Sequence, residues 1–146
     1  MSFIHVKGPA KTEGFKKTAS VAIAINSPVS FDGSAGYVRQ SAVASTRIAG
    51  VSLRKVTSTS TDYADNSIIP VIIPSEDDVF EADVSGTATQ ANVGEQYDLT
   101  TLTDGTDQDV DLAATTYKVV TVVGFISSSK VLVKFNGNYA FANKAN

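Results

Sequence analysis

An all-β fold is predicted for this chain, a small antiparallel β-barrel or sandwich with an extended N-terminal arm, and three observations carry the prediction. Short apolar runs alternate with polar residues at a period of two. Turn-forming residues punctuate the chain about every ten positions, and no window sustains the 3.6-residue period of a helix. With 146 residues and 42% hydrophobic content the chain can bury a core as one domain, and 18% charged residues leave a surface rich in Ser, Thr, Asn and Gln.

Residues 1–18 read as the arm. Gly8, Pro9 and Gly14 break it, it carries four lysines, and it shows no apolar periodicity, so it is expected to be either disordered or ordered by a neighbour, and dispensable for folding. Residues 19–146 are then a single β domain. "SVAIAI" (Val21, Ile23, Ile25) has strand alternation, "NSPVSFDGSAG" must turn, and "YVRQSAV" and "RIAGVSLRKV" follow as strands. "IIPVIIP" is too short for a helix, and its prolines make it an edge or bulged strand.

"DVFEADV" alternates again, with Phe80 directed to the core and Glu81 and Asp83 to water. "TATQANVGEQ", Thr87 to Gln96, is the nearest helix candidate, and a short strand surrounds Tyr97 and Leu99. "DGTDQDVDL" is a turn leading into a strand. The closing hairpin, 117–135, is the clearest element: both arms are β-branched and aromatic, and Gly124 marks a bulge or sharp bend. The tail offers Tyr139 and Phe141 as anchors.

Charge is uneven. No Lys or Arg lies between Val56 and Tyr117, where thirteen of the fifteen acids fall; the flanks hold all twelve bases and two acids, +10 against −13. Either this marks an interaction surface or basic and acidic strands neighbour one another in the fold.

Little catalytic chemistry is available. Zero cysteines remove thiolate nucleophiles and thiolate-bound zinc, and the single histidine, His5, lies in the arm and is read as a solvent-exposed residue, since a triad would require it to be held rigidly. Glu76, Asp77, Asp78, Glu81 and Asp83 could supply a glycosidase acid and base, but with no Trp to stack on a sugar they are expected to be wet-face carboxylates. "DGTDQDVD" (Asp104, Asp107, Asp109, Asp111) departs from the EF-hand spacing and is read as a solvated turn. No phosphate-binding loop is present, and the negative net charge argues against nucleic acid as a partner. No apolar run reaches membrane-spanning or leader length, so a soluble chain without membrane partners, cofactors or metals is expected.

Three segments carry a family resemblance: "STRIAGVSLRKVTSTSTDYADNSIIPVIIP", "DVFEADVSGTATQANVGEQYDLT" and "YKVVTVVGFISSSKVLVKFN". Over Thr46 to Asn136 the chain resembles the small decoration, or cement, proteins of tailed-bacteriophage heads, through a G-V-x-L strand, a V-F-x-A-x-V strand, a V-G-x-x-Y-D-L turn and strand, and the final hairpin. The resemblance implies a non-enzymatic, β-rich, commonly trimeric protein on the outer capsid surface, with the major capsid protein as its partner. Lys7, Lys11, Phe15, Lys16, Lys17, Arg47, Arg54 and Lys55 are the capsid-contact candidates. The alternative is a receptor-binding or fibre-type adhesion domain of a phage.

Overall fold

The computed structural model describes residues 2–32, 36–41, 48–100 and 104–136. Among these residues eleven strands form two sheets: β1 (Ile4–Lys7), β2 (Thr12–Lys16), β3 (Pro28–Asp32), β4 (Tyr37–Gln40), β5 (Ile48–Ser52), β6 (Ile68–Ile72), β7 (Val79–Ser85), β8 (Gln96–Leu99), β9 (Val110–Asp111), β10 (Val120–Ser127) and β11 (Lys130–Phe135). Around one core the order is β1-β7-β11-β10-β8-β9, and because β9 pairs back onto β7 in parallel, five of these strands close into a barrel. The two-residue β9 and β1 share one edge of β7, β9 at Val84 and Ser85, β1 from Val79 to Glu81. Closure removes the free edges that an open sheet would expose.

The other sheet runs β2-β6-β5-β3-β4 with all pairings antiparallel. Its two ends approach at a bridge between Lys17 and Val38, where Thr18 N donates to Val38 O at 2.8 Å. One core cluster fills the barrel with Phe80, Ala82, Val131, Val133 and Phe135, and it extends to Ile48, Val51 and Ile72 of the second sheet. A second cluster lies on the other face of that sheet: Ile23, Val29, Val38, Ala49, Ile69 and Val71. β5 and β6 are therefore apolar on both faces, which is why their sequences run as near-continuous hydrophobes.

Several expectations hold. The class is all-β, Phe80 is fully buried, the hairpin forms, and the register shifts between Val122 and Gly124 as a bulge. The helix candidate at Thr87 to Gln96 reduces to a 3-10 turn at Gln90–Asn92. Tyr139 and Phe141 lie outside the described residues.

Other expectations are corrected. β6 is an interior strand, flanked by β2 and β5. Pro70 is tolerated because its polar side faces past the end of β5, where its carbonyl accepts from Leu53 N at 2.9 Å, so no bond to β2 is lost. "SVAIAI" is not a regular strand: Val21 and Ile23 are buried, but only the Ile23–Val56 bridge forms, and left-handed backbone at Ser20 (φ 57°) and Asn26 (φ 55°) bounds the segment. "PVSFD" is a strand after all, with Pro28 at its first position, where a missing donor is accepted.

The N-terminal segment is extended, as expected, and it is ordered by its own domain. β1 adds to the barrel and β2 to the second sheet. Phe3 is 0% exposed and stacks on Phe135 at 5.5 Å between centroids, while Phe135 meets Phe80 edge-on at 5.5 Å. Removing residues 2–18 would strip an edge strand from each sheet and Phe3 from the aromatic centre of the barrel, so the domain is expected to be destabilised without them.

Asp78 holds this arrangement. It is fully buried, not a wet-face acid, and its carboxylate accepts from His5 Nε2 (2.7 Å), Ala10 N (3.0 Å), Ser75 N (2.7 Å) and Ser75 Oγ (2.9 Å). Gly8 passes so close that a Cβ there would meet Asp78 Oδ1 at 2.5 Å, and its φ of 109° suits glycine alone. Burial pushes the Asp78 pKa up, but the backbone donors of Ser75 and Ala10, with His5 and the Ser75 hydroxyl, outweigh it and hold the group below the ordinary 3.8. Its stabilisation is therefore full above the unfolded-state pKa and is lost as pH falls through the lower folded-state value.

Asp78→Ala is expected to lower unfolding free energy by about 3 kcal/mol, from donors left without an acceptor. Phe3→Ala should cost about 3–5 kcal/mol. Denaturant titrations from pH 7 down past about pH 4 should show the native protein losing stability more steeply than Asp78→Asn in the acid window, because the variant has no carboxylate to protonate.

Candidate interaction surface

Part of the lopsided charge is settled inside the chain. Arg39 reaches Asp104 at 2.6 Å, Arg54 reaches Asp62 at 2.6 Å, Lys130 bridges Glu81 (3.3 Å) and Asp83 (3.0 Å), and His5 meets Asp78. Each of these pairs joins a base from a flank to an acid from the cation-free middle. Sheet register produces one of them directly, since Lys130 lies opposite Asp83 across the β7–β11 ladder.

Polar links of the same kind fasten the loop at 104–108 to the second sheet. Gln40 is buried and uses both ends of its amide: Oε1 accepts from Ala24 N (3.0 Å) and Gly105 N (2.6 Å), while Nε2 donates to Ser27 Oγ (3.1 Å) and Thr106 O (2.8 Å). Gln108 Nε2 donates to Ser41 O at 2.6 Å. The acid-rich loop thus serves as a joint. Asp104 is held by Arg39, Asp111 Oδ1 accepts from Ala113 N at 3.0 Å, and among the described residues no three His, Cys, Asp or Glu side chains gather as metal ligands. Asp109 is pushed above the ordinary carboxylate range by burial and by the Asp83 and Asp107 carboxylates.

The contact candidates do not form one patch. Lys7 is exposed on β1, whereas Lys11, Phe15 and Lys16 belong to β2 and its approach on the second sheet. Lys11 is mostly exposed with Glu13 at 3.8 Å, a weak solvated pair, and Phe15 is half-buried edge-on to Phe31 at 5.7 Å. Lys55 is exposed beside Gly105 and Asp107, Arg54 is committed to Asp62, and Arg47 lies outside the described residues.

Lys17 is a correction. It is 0% exposed, so it is withdrawn from any docking surface; its ammonium donates to Tyr63 O (2.7 Å) and Thr18 O (3.1 Å) and sits 5.7 Å from the Tyr63 ring centroid. Burial lowers its pKa, opposed by Asp62 and Asp65 and assisted by Arg54. The sequence reading failed here because a lysine beside a second lysine looks like a solvated run, and only the tertiary fold supplies the carbonyls that cap it.

A surface that the sequence reading did not single out lies on the outer face of β1, β7, β11 and β10. Ile4, Val6 and Val123 are exposed there, and Phe125 and Ile126 are exposed toward the hairpin tip. The alternation in "KVLVKF" carries the signal: Val131, Val133 and Phe135 face the core, which puts Leu132 outward with Lys130 and Lys134. No protein-family model matches the chain, and no curated protein matches it at a significant level.

Because the folded-state pKa of Lys17 is lowered, its burial cost is present at neutral pH and is relieved as pH rises through that value toward the unfolded 10.5. Lys17→Met should fold, and its stability should rise less than that of the native protein over the alkaline range, measured by urea unfolding at stepped pH.

Proposed function

We propose that this protein is a structural component of a tailed-phage virion that binds the outer surface of the head and stabilises the capsid lattice by bridging capsid subunits. The observation that carries this reading is where the resemblance falls. The V-F-x-A-x-V strand is β7, the Y-D-L segment is β8, and the two arms of the final hairpin are β10 and β11, so these motifs belong to the closed barrel, and the G-V-x-L strand is β5 against it. Strands scattered over the sequence thus converge on one physical unit.

The proposed mechanism is multivalent adhesion. A rigid domain that meets several subunits at once gains effective concentration from its first contact, so individually weak contacts add to a durable one. Rigidity favours this, since little is left to order on binding. The N-terminal segment contributes as part of that domain, with Lys7, Lys11 and Lys16 held at fixed places on its surface.

The test uses heads prepared without this protein. Added protein is expected to cosediment with them saturably and to raise the temperature at which they rupture; absence of saturable binding would refute the reading. Sedimentation of the free protein at micromolar concentration is expected to show a trimer, and a monomer at every concentration would remove that part of the proposal.

A further inference from the structure

The outer face of the barrel contains a groove of about 590 Å³. Its floor is Val79, Val123 and Leu132, and its rim carries Lys7 and Lys134. Strand register explains the arrangement. Lys7 lies opposite Val79 across β1 and β7, and the register that pairs Phe80 with Val133 brings Lys134 opposite Val79 from the other side. One row across three strands therefore reads lysine, valine, lysine. With strands about 4.8 Å apart, the two lysine backbones stand roughly 10 Å from each other with an aliphatic side chain between them.

The neighbouring row completes the floor. Ile4, Glu81, Leu132 and Gly124 follow one another across β1, β7, β11 and β10. A Cβ on Gly124 would meet Leu132 Cδ1 at 2.9 Å, so the absence of a side chain there lets Leu132 lie flat toward β10. Glu81 also belongs to this row but is engaged by Lys130 at 3.3 Å. Asp77 sits at the Gly8 end of the groove and is the one carboxylate in its lining.

We infer that this groove docks a protein segment that is both apolar and acidic, an extended peptide whose aliphatic side chains rest on Val79, Val123 and Leu132 while carboxylates meet Lys7 and Lys134. Charge complementarity selects the occupant. Arg39, Arg54 and Lys130 are paired with acids of this chain, whereas the ammonium groups of Lys7 and Lys134 have no hydrogen-bond or ion-pair partner among the described residues. Two ammoniums over an aliphatic floor suit a carboxylate on a hydrocarbon stem. They suit a nucleic-acid backbone poorly, because so few cations with Asp77 beside them cannot follow a run of phosphates. The peptide lies across the strands rather than along the free edge of β1, since the register shift between His5 and Lys7 disrupts the regular ladder that strand addition needs. The inference goes beyond the lattice-binding role, for it fixes a place on the domain and a chemistry for the partner.

The probe is a fluorescein-labelled peptide of alternating glutamate and valine, with a lysine–valine peptide as control, titrated into ¹⁵N-labelled full-length protein. Saturable amide shifts confined to residues around Lys7, Val79, Val123, Leu132 and Lys134 are expected, with affinity falling as salt rises. The double variant Lys7→Glu/Lys134→Glu should weaken binding at least tenfold, and Val123→Asp, at a position already 40% exposed, should do so without shifting the thermal unfolding midpoint appreciably. The proposal is overturned if the acidic peptide produces no saturable shifts at the groove up to millimolar concentration, or if charge reversal leaves its affinity unchanged. It is equally overturned if single-stranded oligothymidylate or phosphatidylserine vesicles occupy the groove in preference to the peptide.

Discussion

Two connections carry the chain between its sheets near Asp78, and the rest of the architecture depends on their being held together. One runs from β1 to β2 through Gly8 and Ala10, the other from β6 to β7 through Ser75. The single carboxylate accepts from both, and Ile73 N donates to Lys11 O at 2.8 Å alongside. A buried acid costs free energy unless its oxygens are satisfied, and here four donors converge on them. The relative placement of barrel and second sheet is thereby set by directional bonds as well as by the apolar contacts of Ile48, Val51 and Ile72 with the barrel core.

The same logic explains the charge pattern. An acidic middle and basic flanks look, in one dimension, like the two poles of a docking surface. In three dimensions part of that polarity becomes cross-strand and loop-to-strand pairing, with Arg39, Arg54 and Lys130 each meeting an acid from the middle. Among the charges that stay outward, Lys7 and Lys134 are set either side of a valine by sheet register.

What could be read from the sequence was whatever local pattern determines. "VFEADV" and the final hairpin alternate cleanly because one face meets the core and the other water, and Gly124 was legible as a bulge because a strand interior has few other uses for glycine. The strands β1 and β2 were not legible: they are edge additions whose exposed side chains carry no apolar period, and their partners lie more than fifty residues away. "SVAIAI" misled for the opposite reason, a local alternation overruled by left-handed backbone at either end. Asp78 and Lys17 stand among like charges in sequence, and only contacts distant along the chain convert them from surface residues into interior ones. The groove was hidden for a related reason, since Lys7, Val79 and Lys134 become neighbours only when three strands align.

The separation between His5 and Asp78, 73 positions, also has a meaning in time. At the usual rate of about 5–20 residues per second, His5 leaves the ribosome roughly 4–15 s before Asp78 emerges to receive it. Through that interval the first strands have no partner from β6 or β7, and the composition that makes them poor strands to the eye is what keeps them harmless. Gly8, Pro9, Gly14 and the four lysines discourage premature pairing with another nascent chain. The weak local propensity of this segment is thus a condition of its waiting, and the carboxylate that later fixes it marks the end of the wait.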